Sequence, residues 1–460
     1  MQRYFGTDGV RARINSGPMT AENIIRLALA AGAFHIANRK QDSRLETRPM
    51  VVIGKDTRLS GYMVESALQA GFASIGMDTR LLGPMPTPGV AYLTRTLRAD
   101  LGVMISASHN PAEDNGIKLF GPEGFKLLDE EEDEISRMIA GHIPLAAPLE
   151  LGRARRVQDG VGRYLEAVKA SLPGSLRLDG MKVVIDCANG AAYLAAPVVL
   201  AELGAQVIPI ATEPDGTNIN QQCGAVMPQA MQQAVIDNAA DIGIALDGDA
   251  DRLIMADEQG ALIDGDQTLA VIAEHLAETG TLRGGAVVGT LMSNHALGRW
   301  LEDKDIQLER TAVGDRYILE RMRQADRNLG GEPSGHILMT DHGTTGDGLM
   351  AGLAMLARLA HAGAPASQAL RRFVPLPQVI VNVEASSAEA MRAVMKKKAV
   401  QSAVRDAEAE LATAGRVVLR PSGTEPLIRV MVEAEDAGLM QQLADQLAGV
   451  IRHGLEDQDL

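Results

Sequence analysis

Cysteine is scarce in this sequence: Cys187 and Cys223 are the only two among 460 residues, and they form no CxxC pair. Their spacing argues against a zinc site or a disulfide framework and fits a reducing compartment. No apolar stretch is long and uncharged enough to cross a bilayer, and the first residues lack the basic segment and apolar run of a secretory signal. We therefore expect a cytoplasmic protein without a membrane partner.

Positive charge and aromatic side chains are also in short supply. The formal net charge is −15, and aromatic residues make up 3% of the chain. A general nucleic-acid binder needs a broad basic face and stacking platforms, so we expect no nucleic-acid partner. If the ligand is a phosphate dianion, its pocket has to overturn this negative field locally with Arg, Lys, a metal ion or backbone N–H groups.

Short β-branched runs alternate with helical stretches, and the length of the chain predicts several domains. One pattern occurs three times without sequence identity, with first strands that begin at residues 50, 181 and 286. Each copy continues through a helical stretch to an apolar strand, a polar loop and a second apolar strand. The polar loops are residues 106–111, 247–252 and 331–336. One such loop would be an ordinary turn, whereas three favour similar domains that present equivalent loops to one cleft.

The predicted fold class is α/β, with three similar α/β domains of mixed sheets that share a central cleft and a smaller C-terminal α+β domain. A proline-bearing linker at residues 375–377 precedes the last domain. The predicted domains are residues 1–150, 151–254, 255–373 and 374–460.

Three aspartates alternate in the second loop: Asp247, Asp249 and Asp251. Alternate side chains of an extended segment share a face, and we expect a curl at Gly248, unobstructed by Ala250, to let the carboxylates converge. Three hard oxygen donors suit one Mg²⁺, and an EF-hand is excluded because no glutamate stands at the twelfth position. A solvated acidic turn is the alternative, but like charges this close repel unless a cation lies among them.

Ser108 lies in the first loop, directly after an apolar strand. A single serine in a polar loop is usually a turn residue, and no GxSxG elbow surrounds this one. Lys118 begins the return strand and would place a proton or a positive charge near Ser108, although it is equally compatible with an exposed strand edge. Local sequence leaves both alternatives open.

A fourth polar loop, Arg-Pro-Ser-Gly-Thr-Glu-Pro at residues 420–426, follows a strand in the predicted last domain. Its guanidinium, hydroxyls and backbone N–H groups are suited to hold one phosphate, with Arg429 as a second cation. An ordinary Ser-Gly turn is the alternative. No GxxxxGK[ST] motif is present, so a P-loop nucleotide site is not indicated.

Charge balance connects these loops. The three aspartates and a phosphorylated serine would together carry about −5, with about −2 from the phosphate. A Mg²⁺ ion with Arg252, Lys118 and Arg11 returns a similar positive charge. The cluster therefore requires a metal ion.

Taken together, the loops resemble the α-D-phosphohexomutase superfamily over essentially the whole chain. The motifs that carry the resemblance are RYFGTDGVR at residues 3–11, ISASHNP at 105–111, DGDADR at 247–252, GGEPSGH at 330–336, TTGDG at 344–348 and RPSGTEPLIRV at 420–430. The opening GTDG, the segment at residues 218–224 and the SGTEPLIRV ending are similar to the branch that acts on glucosamine phosphates.

The resemblance implies a role for each site residue. Ser108 is expected to be a phosphoserine whose phosphate oxygen joins the three aspartates as a Mg²⁺ ligand. The other catalytic groups are expected to be Lys118 as general acid/base, with Arg11, His109 and Arg252. The expected sugar contacts are Glu332, Ser334 and His336, and the expected clamp for the non-reacting phosphate is Arg420, Ser422, Gly423, Thr424 and Arg429.

The resemblance further implies that the partner is a small hexosamine phosphate. The reaction would interconvert glucosamine 6-phosphate and glucosamine 1-phosphate through a sugar 1,6-bisphosphate, for UDP-N-acetylglucosamine and cell-wall precursor synthesis. A homodimer is also expected by analogy. The alternatives are a phosphomannomutase or phosphoglucomutase and, from a different class, a metal-dependent sugar phosphatase.

The sequence departs from the superfamily pattern at three places. Ala12 stands where glycine is usual, which would change the backbone if that position needs a positive φ. Pro333 replaces a polar residue in the third loop and removes a backbone donor. Residues 225–227, Ala-Val-Met, occupy a stretch that usually carries Ser, Thr and His.

Overall fold

The computed structural model describes residues 4–6, 8–39, 48–174, 176–421 and 426–456. The chain forms two compact units, one of Met1–Thr290 with Glu309–Arg371 and one of Leu291–Leu308 with Arg372–Leu460.

The first sheet of the larger unit has six strands in the order β1-β5-β4-β2-β3-β6. Strands β4, β2, β3 and β6 run parallel to one another. Strand β5 runs antiparallel to both of its neighbours, β4 and β1. The strands are β1 (Val10–Arg13), β2 (Met50–Lys55), β3 (Asp78–Pro84), β4 (Leu101–Ile105), β5 (Asp114–Phe120) and β6 (Ala154–Arg156). The helices are α1 (Ala21–Asn38), α2 (Gly61–Ser74), α3 (Thr87–Thr96) and α4 (Asp129–Ile139), with a 3₁₀ turn at Gly17–Met19.

The second sheet has five strands in the order β11-β10-β9-β7-β8. Strand β7 runs parallel to β8 and β9, and β9 turns back into the antiparallel strand β10. The elements are α5 (Gly160–Ala170), β7 (Lys182–Asp186), α6 (Ala195–Glu202), β8 (Gln206–Ile210), α7 (Gln229–Asp237), β9 (Ile242–Leu246), β10 (Leu253–Asp257) and β11 (Leu262–Ile263).

The third sheet has four strands in the order β13-β12-β14-β15. Strand β12 is parallel to β14, which returns antiparallel as β15. The elements are α8 (Gly265–Glu278), a 3₁₀ turn (Arg283–Gly285), β12 (Ala286–Thr290), α9 (His295–Glu302), β13 (Gln307–Thr311), α10 (Asp315–Ala325), β14 (Leu329–Gly331), β15 (Ile337–Met339), α11 (Gly348–Ala362) and α12 (Ala366–Ala369). Helix α9 falls in the smaller unit.

The smaller unit ends in a three-stranded antiparallel sheet, β16-β18-β17, covered by helices. Its elements are β16 (Gln378–Glu384), α13 (Ala388–Met395), α14 (Lys398–Leu411), β17 (Gly415–Pro421), β18 (Leu427–Ala434) and α15 (Ala437–Glu456). Apolar residues of β18 pack with α15 in one core, including Ile428, Val430, Leu447 and Ile451.

Burial explains the strand composition. Strands β4, β9 and β12 are buried along their whole length, which fits continuous apolar runs covered by helices on both faces. The predicted fold class is confirmed: three α/β sheets of mixed direction and a smaller C-terminal sheet. The four domain boundaries stay a prediction. Among the helices within the described ranges, none is long and apolar enough to cross a bilayer.

The three predicted loops occupy equivalent places. Each joins a buried strand to its antiparallel return strand: β4 to β5, β9 to β10, and β14 to β15. The structure brings all three loops together within the larger unit, because the first loop contacts the second and the second pairs with the third.

Candidate active site

Ser108 lies just beyond β4 with an almost fully buried side chain. Its Oγ donates to Asp247 Oδ2 at 2.6 Å, and its backbone N donates to Ser106 Oγ at 2.9 Å. Its φ is +53°, a left-handed conformation that costs free energy for any residue except glycine. The surrounding structure therefore has to hold this serine in place.

Arg58, in the turn after β2, stabilises this conformation of the serine loop. Its guanidinium is fully buried and donates to the carbonyl oxygens of Ser108 at 3.0 Å, Asn110 at 2.8 Å and Asp114 at 3.1 Å. Its Nε donates to Asp56 Oδ2 at 2.8 Å. One planar cation thus fixes the backbone of the serine loop, a geometry that an ammonium would not reproduce.

Asn220, in the connection between β8 and α7, also holds the backbone of the serine loop. Its Nδ2 donates to the carbonyl oxygens of Ser108 at 2.9 Å and Asn110 at 3.1 Å. Sequence reasoning placed neither Arg58 nor Asn220 in the site. The signal available for Arg58 was a charged turn directly after a buried strand.

Asp247, Asp249 and Asp251 converge as the sequence predicts. All three are buried, and one oxygen from each lies within 4.8 Å of the others. The expected origin of the curl is wrong: the left-handed residue is Ala250, with φ +59°, and not Gly248. Gly248 is needed for close approach, because a Cβ there would lie 2.5 Å from the Ser108 carbonyl oxygen.

The electrostatics of this aspartate cluster call for a cation. Burial and the charges of Asp251 and Asp249 raise the pKa of Asp247 to about 8. Within the described part of the chain, the buried Asp249 Oδ1 and Asp251 Oδ1 accept no hydrogen bond, although Asp251 Oδ1 lies 3.7 Å from His336 Nδ1 and 3.9 Å from Arg252 Nε. Buried, unpartnered carboxylate oxygens beside one another fit a small hard cation such as Mg²⁺.

Lys118 lies inside this cluster and not at an exposed strand edge. Its Nζ is 2.8 Å from Asp249 Oδ2, 3.0 Å from Asp251 Oδ2 and 3.3 Å from Asp8 Oδ2. Burial would lower the pKa of Lys118, but the carboxylates more than offset it and hold the pKa well above its usual value. Lys118 is therefore a charged ammonium held against the aspartate cluster that Ser108 contacts.

The other predicted catalytic groups are His109, Arg252 and Arg11, of which His109 contacts Ser108 directly. His109 Nδ1 lies 3.3 Å from Ser108 Oγ and 3.4 Å from Arg252 Nη1. Burial, with Arg252 and Arg11, lowers the pKa of His109 to about 4, so its ring is neutral at neutral pH. Arg11 pairs with Asp8. Among the described residues the buried Nε atoms of Arg11 and Arg252 have no hydrogen-bond acceptor, although Arg252 Nε lies 3.9 Å from Asp251 Oδ1.

The third loop contributes two buried groups and one exposed group. His336 Nδ1 lies 3.7 Å from Asp251 Oδ1, and Glu332 Oε1 accepts from the backbone N of Gly314 at 3.1 Å. Burial would lower the pKa of His336, but Asp251 and neighbouring carboxylates raise it overall. Ser334 is exposed. A backbone bridge between Arg252 and His336 joins this loop to the metal loop.

Helix α11 supports the metal loop from behind. The backbone N of Gly348 donates to Ala250 O at 3.1 Å, and a Cβ on Gly348 would lie 2.5 Å from Arg252 O. Asp347 caps the helix by accepting from Met350 N at 2.9 Å. The TTGDG segment at residues 344–348 thus supports Ala250 in its left-handed conformation.

Sequence reasoning missed several further site residues. Thr87 contacts the metal loop through its backbone N, 2.9 Å from Asp249 O, and its Oγ1, 2.5 Å from Asp249 Oδ2. Asp8, Lys126 and Asp315 form a chain of ion pairs beside Lys118. Asp8 lies in the motif at residues 3–11, but no sequence pattern indicated Thr87, Lys126 or Asp315.

The predicted phosphate clamp lies in the smaller unit. Arg420 on β17 and Arg429 on β18 are directly opposite in the antiparallel ladder, and Asn382 on β16 is the next partner in the row. The remaining clamp residues, Ser422, Gly423 and Thr424, lie outside the described residues.

The sequence departs from the superfamily pattern at Ala12, Pro333 and residues 225–227, and the structure accommodates each of these positions. Ala12 lies in β1, paired with Asn115, and its φ is not positive, so this position does not need glycine. Pro333 is half-buried, and its carbonyl accepts from Gly265 N at 3.1 Å. Residues 225–227 begin beside β9, where Ala225 N donates to Leu246 O at 3.0 Å.

Replacing Gly248 with alanine tests the contact between the two loops. The added methyl group has to push the aspartate cluster away from Ser108, and a shift near 1 Å is expected to lower kcat about 100-fold while the fold is retained. Gly162→Ala is the matched control, because a Cβ there, on α5, meets nothing within 4 Å. A Gly248→Ala variant with wild-type kcat would contradict the close-approach role.

Known proteins match this chain over nearly its whole length. Sequence models of phosphoglucomutase/phosphomannomutase match in four parts: α/β/α domain I at residues 2–143, domain II at 162–260, domain III at 264–376 and the C-terminal domain at 378–450. A phosphoglucosamine mutase from Novosphingobium aromaticivorans is 56% identical over 451 residues, 98% of this chain and 99% of that protein. One from Paramagnetospirillum magneticum is 54% identical over 453 residues, 98% and 99% of the two chains.

Solved structures share the fold at low identity. A phosphoglucomutase/phosphomannomutase family protein from Burkholderia thailandensis superposes with a TM-score of 0.82 at 22% identity, over 99% of this chain and 98% of that one. An N-acetylphosphoglucosamine mutase from Aspergillus fumigatus, in complex with GlcNAc-6P and magnesium, gives a TM-score of 0.67 at 19% identity, over 98% and 96%. The buried serine and aspartates, the four family domains and relatives above half identity over nearly the whole chain lead to one assignment: this chain is an enzyme of the phosphoglucomutase/phosphomannomutase family.

Proposed function

We propose that the enzyme interconverts glucosamine 6-phosphate and glucosamine 1-phosphate by phosphoryl transfer through Ser108. The observation that carries the proposal is the buried contact of Ser108 Oγ with the aspartate cluster, 2.6 Å from Asp247, with Lys118 at 2.8 Å from Asp249. The choice of sugar rests on relatives named phosphoglucosamine mutase that are 53–56% identical over 98% of this chain.

The proposed working form carries a phosphate on Ser108. A sugar hydroxyl attacks this phosphorus, the bond from phosphorus to Ser108 Oγ breaks, and the sugar becomes a 1,6-bisphosphate. In this first transfer the sugar hydroxyl gives its proton to a nearby base, and the released Ser108 oxygen takes up a proton. In the second transfer Ser108 attacks the phosphorus at the other end of the bisphosphate and loses that proton, while the released sugar oxygen takes one up. The two transfers balance, so no phosphate is consumed in a complete turnover.

The aspartates are the proposed ligands of one Mg²⁺ ion, with a phosphate oxygen on Ser108 as a further ligand. When bound, the ion supplies Lewis-acid stabilisation of the phosphoryl charge. Asp249 Oδ1 and Asp251 Oδ1 have no competing hydrogen bond and are available to it.

Lys118 and the flanking cations are proposed to neutralise the phosphoryl group. The raised pKa of Lys118 keeps its side chain in the ammonium form, which can act as a general acid but is disfavoured as a general base. Among the described residues, the Nε–H groups of Arg11 and Arg252 donate no hydrogen bond and are the proposed donors to the phosphoryl group. Neutral His109 lies 3.3 Å from Ser108 Oγ and is proposed to accept or pass on a proton there.

Substrate recognition is divided between two places in this proposal. Glu332, Ser334 and His336 would contact the sugar hydroxyls. The non-reacting phosphate would be held by the clamp of Arg420, Ser422, Gly423, Thr424 and Arg429. A separate holding site allows either end of the bisphosphate to face Ser108. The same proposal includes a cytoplasmic location, a homodimer and a supply of product to UDP-N-acetylglucosamine and cell-wall precursor synthesis.

A panel of glucosamine, glucose and mannose 6-phosphates with labelled phosphate tests this function on phosphorylated protein. We expect glucosamine 6-phosphate to have the highest kcat/KM and the label to stay in sugar phosphates. A higher kcat/KM for glucose or mannose phosphate would favour a phosphoglucomutase or phosphomannomutase. Release of the label as inorganic phosphate would identify a phosphatase.

A further inference from the structure

Lys126 makes a buried ion-pair bridge that the proposed reaction does not use. Its ammonium contacts Asp8 and Asp315, and its side chain is only 11% exposed. Burial would lower the pKa of Lys126, but Asp315 and Asp8 more than offset this and raise it. A charged lysine is therefore held between two largely buried carboxylates from distant parts of the chain.

The first carboxylate leads to the reacting serine. Asp8 Oδ1 binds Lys126, while Asp8 Oδ2 binds Arg11 and lies 3.3 Å from Lys118 Nζ. Burial would raise the pKa of Asp8, but Lys118, Lys126 and Arg11 hold it well below its usual range. Because Lys126 occupies one oxygen, the other faces Lys118, and the rotation of the carboxylate is fixed.

The second carboxylate leads to the third loop. Asp315 is the first residue of α10, and its Oδ2 lies 3.6 Å from His336 Nε2. His336 in turn faces Asp251 at 3.7 Å. Lys126 therefore contacts one carboxylate that pairs with Lys118 and another that lies beside the buried His336 ring.

The backbone around Lys126 is built to hold the bridge. Lys118 and Lys126 lie on one turn-back structure, in which Phe120 of β5 bridges to Lys126 and Gly121 N donates to Phe125 O at 2.8 Å. Thr344 Oγ1 donates to Gly124 O at 2.6 Å and connects this turn to the segment between β15 and α11. Backbone hydrogen bonds on both sides of Lys126 thus fix its place in the chain, and its ammonium group does not move freely as that of a surface lysine would.

We propose that Lys126 is a positioning residue that binds Asp8 and Asp315 together and so holds Lys118 and His336 in register for phosphoryl transfer. This role rests on the proposed function. Lys126 itself touches neither Ser108 nor the three aspartates in any described contact, so its effect passes through its two carboxylate partners.

Lys126→Met tests the role in full-length phosphorylated protein, with Asp315→Asn and the double variant. We expect kcat, and the single-turnover rate of transfer from Ser108, to fall about 100-fold in each single variant, with KM for the sugar phosphate changed less than about threefold. The double variant should lose far less than the product of the single losses, because the two residues act through one bridge. Lys169→Met is the control, since Lys169 also bridges two carboxylates, Glu166 and Glu202, but lies on the exposed face of α5.

Two outcomes would overturn the positioning role: a Lys126→Met kcat within about threefold of wild type, or losses that multiply in the double variant. If Lys126→Met fails to fold, Asp315→Asn decides by the same thresholds, because asparagine keeps the shape of the side chain. An inactive wild-type protein would refute the proposed mutase function instead, so the two failures are distinguishable.

Discussion

Ser108→Ala is expected to fold normally and to lose at least about 10⁴-fold in kcat, because removing a covalent nucleophile leaves only binding and electrostatic contributions. Alanine keeps the small side chain that fits the buried, left-handed position, as Ala250 does in the neighbouring loop. Intact mass should show one phosphate on a fraction of the wild-type protein and none on the variant. The measurement is mutase turnover with purified sugar phosphate, alongside the mass spectrum.

Ser74→Ala is a suitable control for this prediction. Ser74 lies at the end of α2, where its Oγ donates only to Ala70 O at 2.7 Å at an exposed site. It should keep wild-type turnover and phosphorylation. Near-wild-type activity of the Ser108→Ala variant, or a phosphate that persists on it, would contradict the phosphoserine assignment.

Asp247→Asn is expected to have opposite effects on activity and on metal-free stability. Loss of one carboxylate weakens Mg²⁺ binding and should lower kcat about 10²–10³-fold, the range typical of removing one group that stabilises transition-state charge. In metal-free protein the same change removes the free-energy cost of burying the Asp247 carboxyl close to the charges of Asp249 and Asp251. The thermal midpoint measured in EDTA should therefore stay the same or rise, while the increase in midpoint on adding Mg²⁺ should be lost.

The pH dependence of metal-free stability follows from the same carboxyl group. The folded pKa of Asp247 is about 8, above the value of 3.8 for an unperturbed aspartate. The folded state therefore binds more protons between these values, so this contribution is fully present below about pH 4 and is lost as pH rises to 8. Thermal midpoints of wild type in EDTA from pH 5 to pH 9 should fall more steeply than those of the Asp247→Asn variant. Equal slopes would contradict the raised pKa.

Asp237→Asn provides the control for both measurements. Asp237 lies at the end of α7, where it accepts from Gln233 Nε2 at 2.8 Å in an exposed pair. It should change neither the Mg²⁺-dependent midpoint nor kcat. If Asp247→Asn retains the full Mg²⁺-induced rise in midpoint, Asp247 is not a metal ligand.

Several features of the site followed from local sequence. The alternation of Asp247, Asp249 and Asp251 predicted their convergence, because five consecutive residues between two strands have few ways to place three side chains. The three strand–loop–strand segments likewise predicted equivalent hairpins, because strand and turn patterns are short-range properties of the chain.

Other features required the tertiary structure. Lys118 was compatible with an exposed strand edge until β5 placed it 2.8 Å from Asp249, which is 131 residues away in sequence. Thr87 meets Asp249 across 162 residues, and Lys126 meets Asp315 across 189. No local pattern encodes such contacts, because they arise when separate sheets pack together.

The sequence by itself determined the chemistry available to this protein: a serine, three carboxylates and a set of cations on short loops after buried strands. Tertiary structure decided how that chemistry is held. Arg58 fixes a left-handed Ser108, Ala250 rather than Gly248 turns the metal loop, and Lys126 joins two distant carboxylates. The physical reason is that burial makes each unpaired charge costly, so the partners of a buried charge are chosen by packing and not by proximity in sequence.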